Sequence, residues 1–443
     1  MYLDNKYLDM KEQDLKRFKS FKKNKELIDT WSKYSFHDFL IESQERSDKG
    51  SFYTPEWIVR LMVHNSFSIL KNKGIDLSTI KILEPSCGSG NFLQVIIEEL
   101  HIETKKSYQA IVNDNIYCLD IDVNAIQVSI ERIEEIFSVK LKNVFCQDAL
   151  FFNQSNFDLI IGNPPYGNLL TKELKNQLND KYSNIALNFM DHFYNLLSEQ
   201  GLLYFIVPHS FSRAGQGSLL WREKIIQDKS LYEIIDVGNP FFDITLEQVI
   251  VGLTKQTNNQ VITNSIRYNL KGNIVPYNEI FDNNEKIISI YYDDIYKKIK
   301  NSKPIYPFHG KRGKDLNKKE LLDTHEIDSY MVILGKNISK NGVVNIKNYD
   351  KYSKDTTYLF DKEYVAITQF GTNLKAALVP AYTIPSGGVV IISHVGLSIE
   401  EAINYLNKAT INQYLQKYIL NGAELTVHLD GKYLKQIPYT DLI

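Results

Sequence analysis

The stretch "ILEPSCGSGNFL", Ile82–Leu93, decides how the chain is read. A short apolar run ends on a carboxylate, Glu84, and is followed by Gly88 and Gly90 and then by residues of helical period. Glycine reaches positive φ without a Cβ penalty, so the pair permits a tight strand-to-helix turn and a close approach of backbone to a ligand. The spacing is not the GxGxxG of dinucleotide binders, and a carboxylate at the strand end would repel a pyrophosphate. A cationic ligand suits this turn better.

Working outward, short β-rich runs alternate with helical segments from about residue 45 to about 254. The runs are "IKILE", "IYCLDI", "NVFCQ", "FDLIIG", "LLYFIV", "YEIIDV" and "QVIVGLT". Between them, Ile126, Ile130, Ile133 and Phe137 fall at spacings of four, three and four, one face of a helix. Strands alternating with helices predict parallel pairing through right-handed crossovers, an α/β doubly wound sheet. Residues 1–45 read as polar helices with an irregular apolar stripe (Leu15, Phe18, Phe21, Leu27, Trp31). The polar stretch Thr254–Gln260 reads as a linker, giving a catalytic domain over 46–258 and a second, α+β domain over 259–443.

With 51 Lys and Arg against 53 Asp and Glu, the net charge of -2 creates no global positive field. A polyanion would have to be held by a local patch. The densest basic segment lies between Lys297 and Lys319. Cys87, Cys118 and Cys146 share no CxxC spacing, which argues against a zinc site or a disulfide framework and for buried free thiols in a reducing compartment. The N-terminus is too charged for a signal peptide and no apolar run approaches the ~20 residues of a membrane span. The expectation is a cytoplasmic protein with no metal.

In an open parallel sheet, ligands lie outside the carboxyl ends of the strands. Here three successive strand ends are acidic: Glu84, then Asp120 or Asp122, then Asp148. Asp122 precedes a helix and suits an N-cap, which leaves Asp120 as the better ribose ligand. Asp148 is placed to accept from an exocyclic amine. An amine, a ribose, an adenine amino group and a positive charge coexist in S-adenosylmethionine. The fourth strand ends in Asn163-Pro164-Pro165-Tyr166. Proline fixes its own φ and stiffens its predecessor, so the Asn163 side-chain oxygen and the Pro164 carbonyl can both accept from one exocyclic amine. Tyr166 offers a flat face for a heterocycle.

Together these residues resemble the N6-adenine-specific DNA methyltransferases of the amino class with gamma motif order, over roughly residues 45 to 255. "FYTPEWIVRLM" (Phe52–Met62) is similar to the family's cofactor-closing motif and "EPSCGSGNF" to its cofactor loop. The resemblance implies cofactor contacts from Tyr53, Thr54, Glu84, Ser86, Gly88, Asp120, Ile121, Asp148 and Pro165. It implies catalysis by Asn163, Pro164 and Tyr166. In "VGNPFFDITLEQVIV" it implies a phenylalanine stacking on the target base, Phe241 in preference to Phe242. The Rossmann-like sheet would bind S-adenosylmethionine, and the C-terminal domain would recognise double-stranded DNA, its basic segment meeting phosphates. A separate restriction endonuclease would be a natural partner. The same NPPY chemistry also serves RNA base and protein glutamine methylation, and a non-catalytic cofactor-binding subunit is a further alternative.

Overall fold

The computed structural model describes residues 5–25, 27–36, 53–167, 182, 184–213, 216–242, 245–281, 286–339, 342–345, 351–371, 373–423 and 427–443. Phe52, Asn168 and the side chain of His428 lie outside them, as does most of the loop before Tyr53. Two compact units divide the chain: Met1–Phe211 with Gly215–Phe281, and Ser212–Ala214 with Asp282–Ile443.

The first unit opens with helices α1 (Asn5–Asn24), α2 (Thr30–Ser35) and α3 (Glu56–Asn72). The alternating region follows as β1 (Ile82–Glu84), α4 (Asn91–Thr104), α5 (Tyr108–Asp114), β2 (Ile116–Asp120), α6 (Val123–Phe137), β3 (Asn143–Cys146) and β4 (Phe157–Gly162). After it come α7 (Ile185–Asn195), β5 (Leu197–Pro208), α8 (Gln216–Asp228), β6 (Leu231–Gly238), β7 (Gln248–Thr254), β8 (Gln260–Ser265) and β9 (Leu270–Pro276). These strands form one nine-stranded sheet in the order β3-β2-β1-β4-β5-β7-β6-β8-β9. Strands β3 to β5 are parallel, while β7 runs antiparallel between β5 and β6. The architecture is a Rossmann-like α/β sheet carrying two antiparallel strands, β7 and β9.

Residues buried on both faces of a sheet read as continuous apolar runs. That is the pattern of "IIG" in β4 and "GLLYFIVP" in β5, which are fully covered. The edge strand β3 is only half covered, which leaves Cys146 exposed, whereas Cys87 and Cys118 are buried as expected.

Two sequence expectations change. The Thr254–Gln260 stretch is not a linker between domains. It is a tight connection from β7 to β8, stapled by Asn258, whose side-chain amide donates to Lys229 O and Thr254 Oγ1, each at 3.0 Å. Because β8 pairs with β6 in parallel and β9 with β8 antiparallel, the first unit runs to Phe281. Nor do the N-terminal helices stand apart. Arg17 of α1 bonds Glu56 at 2.6 Å, and Asp14 accepts from the Trp57 amide at 2.9 Å, tying α1 to the start of α3.

The second unit is α+β. Its largest sheet has five strands in the order Phe308–Arg312, Val389–His394, Tyr364–Thr368, Ala376–Val379, Gly342–Val343. The basic segment is regular structure, a helix over Asp294–Asn301 and an outer strand over Phe308–Arg312. Lys298, Lys303, Lys311 and Lys319 are exposed along it, and Arg312 pairs with Asp315 at 2.7 Å. Among the described residues of both units, no helix is long and apolar enough to cross a membrane.

Candidate active site

Four strand ends are stitched into one wall by short hydrogen bonds. Gly88 and Gly90 adopt φ of 51° and 79°, left-handed values that turn the chain sharply from β1 into α4. The turned Gly88 amide donates to Asp120 Oδ2 at 2.9 Å, linking β1 to β2. Gln147 N donates to Asp120 O at 3.1 Å, linking β2 to β3. Ser86 Oγ donates to Asn163 O at 3.1 Å, linking the glycine turn to the segment after β4.

Glu84 stands at the centre of this wall with 2% of its surface exposed, and its Oε2 meets no hydrogen-bond donor among the described residues. Burial first, and then Cys87 and the nearby negative charge of Asp120, push its carboxyl well above the usual carboxylate range. A buried carboxyl oxygen without a partner costs free energy unless a ligand supplies the donor. An ammonium would supply both donor and charge. Asp120 is also raised, chiefly by burial, although the amides of Gly88 and Asp122 both donate to it. Asp122 Oδ1 accepts from Asn124 N at 2.9 Å and caps α6, as an N-cap should. Ile121 between them is 70% exposed, an apolar face offered at the rim. Asp148 spends Oδ1 on the amide of Leu150 at 2.9 Å and is otherwise half-exposed.

The segment after β4 closes on itself. Asn163 Nδ2 donates to Thr54 Oγ1 at 3.0 Å, and the Tyr166 hydroxyl bonds Asn163 Oδ1 and lies 3.2 Å from Ile206 O. Pro164 is buried and Pro165 half-buried, and no described donor meets the Pro164 carbonyl. Tyr166 is half-buried and packs its ring against the main core.

Two implied positions are turned away from the wall. The Tyr53 ring is 5% exposed and sits with Phe18, Phe21 and Phe36, its hydroxyl accepting from Trp31 Nε1 at 3.0 Å. A ring so enclosed anchors the segment that carries Thr54. Phe241 is 3% exposed within the main core, while Phe242 is half-buried with its ring 5.4 Å from that of Phe18. The structure also brings in residues the sequence reading passed over: Asn91, Arg132 and Gln94 behind Thr54, and Arg267 beside Asp236 and Glu247 at the ends of β6 and β7. Arg132 was legible only as one charged residue in an otherwise apolar helical face. Arg267 lay beyond the expected domain boundary.

Residues 91–242, which include the Asn163–Tyr166 segment and the acidic strand ends after β1, match the family model described as Eco57I restriction-modification methylase. This stretch, about a third of the chain, is similar to an Eco57I-type methylase domain. The chain is 27% identical over 262 residues to the type II methyltransferase M.VspI of Vibrio sp. (strain 343), covering 57% of this chain and 59% of that one. It is 25% identical over 203 residues to the modification methylase CviBIII of Paramecium bursaria Chlorella virus NC1A, covering 44% and 47%. The chain thus spans about half the length of these relatives. In fold, it superposes on the type IIL restriction-modification enzyme MmeI, solved in complex with DNA, with a TM-score of 0.60 at 12% identity, over 93% of this chain and 70% of that one. The match covers Asp120, Asp148 and the Asn163–Tyr166 segment of the strand-end wall, while Glu84, Ser86 and Gly88 lie just before it.

Proposed function

We propose that the chain transfers a methyl group from S-adenosylmethionine to N6 of an adenine swung out of double-stranded DNA. The observation that carries this reading is the pairing of a buried, unpartnered Glu84 oxygen at the end of β1 with the Asn163-Pro164-Pro165-Tyr166 segment at the end of β4, joined through Ser86. When bound, S-adenosylmethionine would supply an electrophilic methyl on a sulfonium. Glu84 would receive its ammonium, Asp120 its ribose hydroxyls through lone pairs not used by the two amides, Ile121 its adenine face and Asp148 its adenine amine. Ser86, Gly88 and Pro165 complete the wall.

On the target side, the Asn163 oxygen and the Pro164 carbonyl would accept the two protons of the adenine amine. Those bonds draw the nitrogen lone pair out of the ring's π system and aim it at the methyl carbon. Transfer would form the N–C bond as the S–C bond breaks, leaving a neutral thioether, and the methylated nitrogen would pass its surplus proton to water. Catalysis of this kind is positioning and electrostatics. Flipping the base costs a few kcal/mol, recovered by stacking and hydrogen bonds in the pocket. The exposed lysines of the second unit suit phosphate contacts. M.VspI and CviBIII are named as methyltransferases and MmeI as a restriction-modification enzyme, which favours DNA over RNA or a protein amide and makes a restriction endonuclease a reasonable partner.

The test is transfer from methyl-labelled S-adenosylmethionine to duplex DNA, with the product nucleoside identified by mass spectrometry. N6-methyladenine is expected, and Asn163→Ala should lower the rate by about 10²–10³-fold, the scale for removing one transition-state hydrogen-bond group. Label appearing only in RNA, only in protein, or in cytosine would refute the proposal.

A further inference from the structure

We infer that Thr54 is a positioning residue that sets which end of the Asn163 amide faces the target, and that Asn91 and Arg132 hold Thr54 in place to do so. This rests on the methyl-transfer reading above. The two ends of a primary amide are nearly isosteric, yet only the oxygen can accept from an amine. Both ends of the Asn163 amide are engaged: Nδ2 donates to Thr54 Oγ1 at 3.0 Å, and Oδ1 meets the Tyr166 hydroxyl. If Tyr166 turns to stack on an entering base, its bond to Oδ1 is given up. The bond from Nδ2 to Thr54 does not depend on Tyr166 and persists when orientation matters most.

Thr54 is buried, and its backbone is held from behind. Asn91 Nδ2 donates to Thr54 O at 3.2 Å, and Asn91 Oδ1 accepts from Arg132 at 2.5 Å. Arg132 is wholly buried and further fixed by Gln94 Oε1 at 2.9 Å and Ser89 O at 3.1 Å. Its guanidinium carbon lies 4.7 Å from the centre of the Trp31 ring, and Trp31 in turn donates to the Tyr53 hydroxyl beside Thr54. Asn91 begins α4, directly after the glycine turn. The turn that faces the cofactor and the amide that faces the base therefore share one rigid support, which reaches back into the N-terminal helices.

The experiment compares Thr54→Val and Thr54→Ser in the full chain. Transfer to duplex DNA is measured at saturating S-adenosylmethionine, and cofactor affinity separately by calorimetry. T54V should lose about 10–100-fold in kcat, as a displaced reacting group does; because Thr54 Oγ1 is engaged by Asn163 in place of the cofactor contact that the resemblance implied, cofactor Kd should change less than about threefold, the size of one weak contact. T54S should restore kcat. Asn91→Ala should move kcat in the same direction by a smaller factor. The side-chain amide resonances of Asn163, assigned in 15N-asparagine-labelled protein by difference with Asn163→Asp, should shift in T54V and return in T54S. Because that readout needs no turnover, it separates the two ideas. A wild-type chain that methylates nothing but shows these shifts overturns the methyl-transfer reading alone. Unshifted Asn163 resonances in T54V, or cofactor affinity falling in step with kcat, would overturn the role given to Thr54.

Discussion

The two halves of the candidate site are built on opposite terms. At the end of β1 a carboxylate oxygen of Glu84 is buried without a partner, and Ile121 at the end of β2 stands out from the surface. At the ends of β4 and β6 the corresponding groups satisfy one another: Asn163 with Thr54 and Tyr166, Tyr166 against the core, Phe241 within it. A site with an orphaned acceptor is ready for its ligand and gains by binding it. A site whose groups are already paired must first be opened. Under the proposed function, the half that would take the cofactor is preformed, whereas the half that would take the base has its groups already paired and would have to be rearranged on entry.

The strongest way to break the comparison is through Phe241. As a core residue it should cost about 3–5 kcal/mol of stability when replaced by alanine, the usual range for a buried phenylalanine, and Phe242→Ala should cost less because its ring is half-exposed. Urea unfolding of the two variants measures this directly. A Phe241→Ala chain of unchanged stability that cannot hold an extruded fluorescent base analogue would show an open stacking face instead, and the target half would not be closed.

A buried acid away from both halves supplies a reference for pH effects. Glu233 on β6 accepts from Tyr204 at 2.5 Å and from Asn264 at 2.9 Å, yet burial still raises its carboxyl to about 7. Its folded value lies above the unfolded one, so the native state binds the proton more tightly. Stability from this group is therefore fully present below about pH 4.5 and is lost as pH rises through 7, by up to about 3 kcal/mol for a shift of this size. Replacing it by Gln should flatten that part of the stability profile, seen as the pH dependence of the urea midpoint in wild type minus variant.

Glu84 should respond differently, because its proton is linked to a ligand. Raised in the free protein, it would have to ionise to receive an ammonium, so cofactor affinity should rise with pH and binding should release a proton. Glu84→Gln should weaken affinity by about 10–100-fold, the worth of one charge-assisted hydrogen bond, and should abolish the proton release seen by calorimetry in buffers of different ionisation enthalpy. Wild-type binding near neutral pH that releases no proton would mean that the orphaned oxygen is not where the cation sits.

Much of the strand-end wall was legible because it is local. Strand, turn and acidic terminus follow one another within a dozen residues, as in Ile82–Leu93, and the covered strands declare themselves by unbroken apolar runs. What was illegible is long-range. Nothing near Tyr53 announces that its hydroxyl pairs with Trp31, 22 residues earlier, and nothing near Arg132 announces Asn91, 41 residues before it. Strand β9 is half exposed and carries a glycine, so it reads as loop, and with it the sheet's last two strands were assigned to the wrong side of the boundary. The second unit resists for a related reason: most of its strands are two to six residues long, too short for any period to declare itself.

The finest discrimination concerns two aspartates two residues apart. Asp120 bridges β1 and β2 through the Gly88 amide, and Asp122 caps α6 through Asn124. If that division of labour is right, Asp122→Ala should behave as a lost N-cap, costing about 1 kcal/mol of stability while cofactor affinity stays within about twofold, since no contact with the ligand is removed. Asp120→Asn should do the reverse, keeping the fold through its remaining acceptor but weakening the ribose contact. Thermal melts and calorimetry on the two proteins, run side by side, separate the roles, because a cap acts on the folding equilibrium and a ligand contact acts on the bound state. An Asp122→Ala chain that melts normally but loses cofactor would exchange the two assignments and move the ribose one helical step further along the rim.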